Sequence, residues 1–260
     1  MTPDTVFVQD GERYTATDLA LGPWAPGMLH GGAPAALLMR AFTRGAEGLG
    51  LQPARVTYDF VRPAPQGPLA VEVQVVRPGR RVTLLDAFLR DGETVVTRAR
   101  ALLVAPSQVT VSTGDEPPPF PGPAAGQLNE FAHRGGLSFV TDGMEIRFVE
   151  GTFGEPGPAT AWFRLRYPLL ADETTSPLEL LAAAGDFGNG IGSELRWNEH
   201  TFINPDLTLY IRRPPTGQWV ALQSRMWVQP AGVSLVESAL WDERGRIGRA
   251  MQSVLVSQLT

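Results

Sequence analysis

The sequence predicts an α+β fold made of two tandem copies of one unit, each a long helix wrapped by an antiparallel sheet. Three observations carry this expectation. An Ala-rich apolar run with helical character occurs in each half, long alternating strands follow each run, and the two sets of strands overlay in order.

The first helix is expected over Gly32–Glu47, GAPAALLMRAFTRGAE, with Pro34 in its first turn, where a missing N–H leaves no bond unmade. Strands follow at Arg55–Arg62, Leu69–Arg77, Val82–Arg90 and Thr94–Val104. The last two flank Asp91-Gly92, a strong hairpin signal. Residues 105–126 are dense in Pro, Gly and Ser, and read as an exposed linker that holds neither helix nor central strand. Beyond it, strands at Met144–Val149 and Ala159–Arg166 precede a second helix from Ser176 to about Phe187, with Ser176 as N-cap and Pro177 at the first helical position. Strands at Leu207–Arg213, Trp219–Val228, Val233–Trp241 and Gly248–Val256 complete the half, with Asp242-Glu243-Arg244-Gly245 as the hairpin turn. The expected organisation is therefore a first unit over 1–112, a linker over 113–135 and a second unit over 136–260.

The repeat can be read residue by residue. Val56-Thr57 and Phe60-Val61-Arg62-Pro63 lie opposite Leu207-Thr208 and Ile211-Arg212-Arg213-Pro214, and Val82–Asp86 opposite Val233–Glu237, all at the offset 208 − 57 = 151. In the last strands Ala99–Val104 lies opposite Met251–Val256, after a second turn read as the longer one. On that alignment Arg55 is the counterpart of Asp206, and Arg100 that of Gln252. Both helices are apolar nearly all round, as a helix enclosed by its own sheet must be.

Composition narrows the function. Hydrophobic residues make up 43% and charged residues 19%, enough to build a core. A net charge of −5 and a pI near 5.3 argue against a nucleic-acid partner or an anionic membrane surface, both of which need a basic face. The absence of cysteine excludes disulfides, thiolate metal sites and a Cys nucleophile. His30, His133 and His200 show no metal-ligand spacing, and no metal or cofactor is implied. With no signal-like start and no run of ~18 apolar residues, the chain reads as cytoplasmic.

The stretch Gly27-Met28-Leu29-His30-Gly31-Gly32-Ala33-Pro34-Ala35-Ala36-Leu37 resembles the HGG-plus-helix opening of many hot-dog thioesterases. The second half resembles the carboxy-terminal repeat of the acyl-CoA thioesterase II family. That likeness rests on Asp186 late in the helix, Asp206 opening an Asp-x-x-x-x-x-Arg-Arg-Pro strand, and Ala250-Met251-Gln252 in the last strand. The resemblance implies a double hot-dog that hydrolyses a fatty or otherwise apolar acyl-CoA and associates as a homodimer. It implies, too, that the catalytic Asp and Gln are Asp206 and Gln252. The family's third member, a threonine on the intervening strand, has no match, which leaves Thr208 or Ser224 as substitutes.

Thioester hydrolysis needs a carboxylate to activate water, a neutral partner to orient it, and donors for the oxyanion. Asp206 and Gln252 are read as the first two, present in one half only. Asp186 is the rival carboxylate, placed where single-domain thioesterases keep an acid. Amides of His30-Gly31-Gly32, just ahead of a helix, are read as holding an oxyanion or a CoA phosphate. The Arg77-Pro78-Gly79-Arg80-Arg81 turn suits the 3′-phosphate of CoA, and Trp227 an acyl tunnel, while Trp162, Trp197, Trp219 and Trp241 read as core. Each has a plainer reading. Asp206 is also a turn aspartate in Asn-Pro-Asp, Asp186 a polar residue at a helix end, the HGG stretch a structural turn, and the arginines solvated charge. Two other functions stand beside hydrolysis: a hot-dog hydratase or dehydratase, which needs an Asp/His dyad, and a non-catalytic acyl-CoA-binding protein.

Overall fold

A computed structural model describes residues 3–111, 116–129 and 136–259. In chain order the strands of the first half are β1 (Phe7–Asp10), β2 (Arg13–Ala16), β3 (Gln52–Phe60), β4 (Leu69–Arg77), β5 (Val82–Asp91) and β6 (Thr94–Val104). Those of the second are β7 (Gln127–Leu128), β8 (Met144–Glu150), β9 (Ala159–Leu165), β10 (His200–Ile203), β11 (Asp206–Ile211), β12 (Val220–Val228), β13 (Val233–Asp242) and β14 (Gly245–Gln258). Helix α1 spans Gly32–Gly45, α2 Pro177–Gly185 and the short α3 Gly188–Ile191.

All the strands belong to one sheet, in the order β1-β2-β4-β5-β6-β3-β11-β14-β13-β12-β9-β8-β7, with β10 paired on β14. The seam between the halves is β3 against β11, antiparallel, with Leu207 opposite Tyr58, Thr208 opposite Thr57 and Leu209 opposite Val56. Thr57 and Thr208 are equivalent positions of the repeat, 151 residues apart, and their hydroxyls meet at 3.1 Å. A pseudo-two-fold axis therefore passes between them, and the molecule has the plan of a dimer in one chain.

Each half curls its strands around its own helix. The face of α1 that includes Ala33, Ala35–Met39 and Phe42 is buried, and so are Leu180–Ala184 of α2. Ser176 closes a capping box on α2: its hydroxyl accepts from the Glu179 amide while the Glu179 carboxylate accepts from the Ser176 amide. The helices pack side by side and antiparallel. Gly31 and Gly32 at the start of α1 lie against Asp186 and the Ala183 carbonyl at the end of α2. At the other end Arg40 of α1 donates to both carboxylate oxygens of Glu173, just before α2, at 2.7 and 2.6 Å. This is the double hot-dog expected from the sequence.

The last-strand register differs from the sequence alignment. Leu85 pairs with Ala101 and Val236 with Gln252, so the counterpart of Gln252 is Ala101 rather than Arg100. The two turns are equally long, closed by Asp91–Thr94 and Asp242–Gly245, and both ladders carry an irregularity at the same place, Leu89/Arg90 and Leu240/Trp241. The offset of 151 thus runs through the whole hairpin. Within 105–126, residues 116–126 pack on the second half: Phe120 lies edge-on to Trp162 and Trp241, and the Trp162 indole donates to the Pro121 carbonyl at 2.8 Å. The chain start crosses over too, with Val6 and Phe7 amides donating to Pro168 and Leu169 carbonyls.

Candidate active site

The apolar helix pair contains one acid at its crossing. Asp186 follows α2 directly, is buried, and faces the start of α1 from the other half. Its Oδ1 accepts from Asn204 Nδ2 at 2.7 Å, and its Oδ2 lies 3.2 Å from His30 Nδ1. The Gly32 amide donates to His30 Nδ1 at 3.1 Å and also supports the Asp186 carboxylate. Glycine is required here by contact: a Cβ on Gly31 would stand 2.7 Å from Asp186 Oδ2, and one on Gly32 would overlap the Ala183 carbonyl.

Burial sets the protonation of this pair. Loss of water raises the Asp186 carboxyl from 3.8 to about 7, against the opposing pull of Asn204 and the Gly32 amide. The same loss lowers the His30 imidazole from 6.5 to about 3, so the ring is neutral near pH 7. His30 packs in a cluster of three rings, stacked on Phe187 at 4.5 Å and tilted against Phe139 at 5.3 Å, with the two phenylalanines 5.9 Å apart.

A belt of amides and hydroxyls continues from the acid. Asn189, on α3, donates its side chain to Asn204 Oδ1 at 3.0 Å and its backbone N–H to Gln252 Oε1 at 3.1 Å. Gln252 is buried, with Nε2 3.5 Å from the Asp186 carbonyl. Ser224 and Ser238 hydroxyls meet at 2.7 Å behind Gly188, where a Cβ would stand 2.7 Å from both Gln252 Oε1 and Ser238 Oγ. The Gly188-Asn189-Gly190 turn can therefore lie directly on the polar inner face of β13 and β14.

The structure brings together Asp186, His30, Gly31, Gly32, Gln252 and, at the edge, Ser224. It separates the others. Asp206 and Gln252 cannot share a water: Thr208 pairs with Met251, which sets Leu207 opposite Gln252 on the inner face and turns Asp206 outward. The Asp206 carboxylate instead accepts from the Ser253 amide at 2.7 Å. Thr208 is spent on the seam with Thr57, on the outer face. Trp227 is 39% exposed and points away from inward-facing Ser224 and Met226, so it lines no tunnel; Arg225 lies over its ring at 5.4 Å. Arg77, Arg80 and Arg81 are exposed at the β4–β5 turn. Phe60 packs on Gly31 and lies level, through Thr97, with Leu89, seven residues along β5 from Val82, which puts the turn roughly 24 Å away along the strand. His133 lies outside the described residues. Asn204 and Asn189 were not anticipated; an asparagine before proline reads as a turn, and only the tertiary fold brings it to Asp186.

A cavity of about 530 Å³ opens at the opposite end of the helix pair, lined in part by Glu145, Arg164, Glu173, Thr175 and Ser176. Its two carboxylates are held by arginines, Glu145 by Arg164 and Glu173 by Arg40 of α1, and the Arg166 guanidinium donates to the Met144 carbonyl. The buried acid of the helix pair, Asp186, lies at the other end. Among the described residues no cluster of His, Asp and Glu could hold a metal ion, and no helix is long and apolar enough to cross a membrane.

The curled sheets and crossed helices define a double hot-dog protein whose polar groups converge at one end of the helix pair. The family model for the acyl-CoA thioesterase N-terminal domain matches residues 20–104 and that for the C-terminal domain residues 114–256. The chain belongs to the acyl-CoA thioesterase family, whose members are thioester hydrolases. Solved structures agree in fold. A protein of unknown function with a hot-dog fold from Alicyclobacillus acidocaldarius is 20% identical with a TM-score of 0.74, over 99% of this chain and 97% of that one. A tesB protein from Mycobacterium avium subspecies paratuberculosis is 17% identical with a TM-score of 0.67, over 96% and 95%. An acyl-CoA thioesterase II from Mycobacterium marinum is 16% identical with a TM-score of 0.65, over 96% and 94%. No curated protein matches the chain significantly.

Proposed function

We propose that the protein is a cytoplasmic hydrolase of fatty or otherwise apolar acyl-CoA thioesters, with Asp186 as the group that activates water. The observation that carries this reading is a buried carboxyl at the end of α2 that faces the start of α1 with Oδ2 3.2 Å from His30 Nδ1, where burial raises it to about 7. A base is most effective when its pKa lies near the working pH. Asn204 fixes one carboxylate oxygen, leaving Oδ2, beside His30, to take the proton of water as its oxygen attacks the thioester carbon. The tetrahedral intermediate then expels the CoA sulfur, which takes the proton back from Asp186, and the Gly31 amide just ahead of α1 stabilises the oxyanion, the His30 and Gly32 amides being held by the Ala20 carbonyl and the His30 ring. Gln252, anchored by the Asn189 amide, orients the water.

The outer face of the second half supports self-association. Val233, Leu255 and Ile203 lie side by side on adjacent strands and all are exposed, with Leu235 and Trp227 next to them. Such a patch is covered when two chains pair as a homodimer.

A hydratase is the second reading, because His30 and Asp186 do form an Asp/His pair at 3.2 Å. One assay separates the two. The purified protein is incubated with saturated acyl-CoAs and with an enoyl-CoA, following thiol release and enoyl absorbance together. Thiol release that Asp186→Asn abolishes supports hydrolysis. Loss of enoyl absorbance without thiol supports hydration. Binding with neither change leaves a non-catalytic acyl-CoA-binding protein.

A further inference from the structure

The loop Gly22-Pro23-Trp24-Ala25-Pro26-Gly27 carries an indole from the first half onto the second. Its base is pinned to the site, since a Cβ on Gly22 would stand 2.9 Å from the His30 amide nitrogen. Gly27 turns the chain back at φ 72. Trp24 stacks on Trp197, with centroids 5.4 Å apart and planes 21° off parallel, and stands edge-on to Phe202 at 6.2 Å. Trp197 meets Phe202 edge-on at 4.4 Å and Phe153 at 5.4 Å. Four rings from four chain segments thus form one wall.

That wall begins one residue from the candidate machinery. A Cβ on Gly190 would lie 3.8 Å from both Phe153 and Trp197, and its neighbour Asn189 holds Gln252 and Asn204. Two features are unlike ordinary core. Trp24 remains 42% exposed although it caps the stack, so its apolar face still gains from a partner. The Trp197 indole N–H is buried without an acceptor, a feature that native packing seldom leaves unexplained. A thioester at Asp186 has two unlike ends. The CoA end is anionic and belongs in water, and the acyl end gains by contact with rings.

We propose that Trp24 and Trp197 form the acyl subsite, and that the loop 22–27 makes the enzyme select acyl groups by the apolar surface they offer. The proposal rests on the thioesterase reading above. The test compares kcat/KM for acetyl-, octanoyl- and benzoyl-CoA in wild type, Trp24→Ala and Trp24→Phe, with the melting temperature of each as a folding check. In Trp24→Ala the octanoyl-to-acetyl and benzoyl-to-acetyl ratios are expected to fall by about tenfold or more, with Trp24→Phe recovering most of the loss. Equal loss for all three thioesters, or no loss, overturns the subsite while leaving hydrolysis intact. A wild-type protein that hydrolyses none of them overturns the thioesterase reading and the subsite together.

Discussion

Replacing Asp186 by Asn should separate two effects of burying this carboxylate. The folded carboxyl titrates at about 7 and the ordinary value is 3.8. Below 3.8 the group is protonated in both states. Between 3.8 and about 7 the folded chain keeps a proton that the unfolded chain has released, so stability falls as pH rises. The loss is complete above about 7 and amounts to at most about 4 kcal/mol. His30 acts oppositely: lowered from 6.5 to about 3, it removes stability as pH falls through that range. Asparagine imitates the protonated acid, keeping an acceptor for Asn204 and offering an N–H to His30. Asp186→Asn should therefore melt on the order of 8 °C higher than wild type at pH 8, with the gain vanishing near pH 4. Hydrolysis should fall by roughly 10²–10⁴-fold. Thermal scans at pH 4, 6 and 8, run beside a thiol-release assay, read both. A variant no more stable than wild type at pH 8, or one that hydrolyses normally, would refute the assignment.

Asp206→Asn should leave turnover within about threefold of wild type, because its carboxylate accepts from the Ser253 amide on the outer face; a loss approaching that of Asp186→Asn would restore Asp206 as the base. Gln252→Ala strands the Asn189 amide and should lower stability by about 1–3 kcal/mol, visible as a shifted urea midpoint. Gly32→Ala forces a methyl into the Ala183 carbonyl and should destabilise the fold by about 3 kcal/mol or more, while Ala at exposed Gly122, where nothing lies within 4 Å, should be tolerated. Light scattering at low micromolar concentration should give twice the chain mass; a value of 28.1 kDa would dismiss the homodimer.

The fold was legible because it rests on periodicity and sheltered turns. The apolar runs with their caps gave α1 and α2, and the alternating strands gave the offset that the Thr57–Thr208 seam obeys. The N-terminal hairpin and the α3–β10 stretch carried no such rhythm: their elements are four residues long, and glycines interrupt the second. The last-strand slip arose at the hairpins, where Asp91-Gly92 looks tighter than Asp242–Gly245 although the ladders are the same. The side of the sheet that Asp206 occupies could have been read from the chain itself. In Asp206-Leu207-Thr208-Leu209 the leucines must turn inward, which sends the acid out. Asp186 was visible as an acid in an apolar helix. Asn204 was not, since its partner lies 18 residues away in the chain.

In a dimer of identical chains, the two ends of a helix pair crossing at the axis are copies, and any substitution appears at both. Fusing the copies releases that constraint. Here one end holds His30 against Asp186, an acid kept from water. The mirrored end holds Arg40 and Arg44 on Glu173, opposite charges that satisfy each other. The chain can thus keep an end destabilised by a buried acid anchored by one whose charges are paired, a division that no symmetric dimer of identical chains could hold.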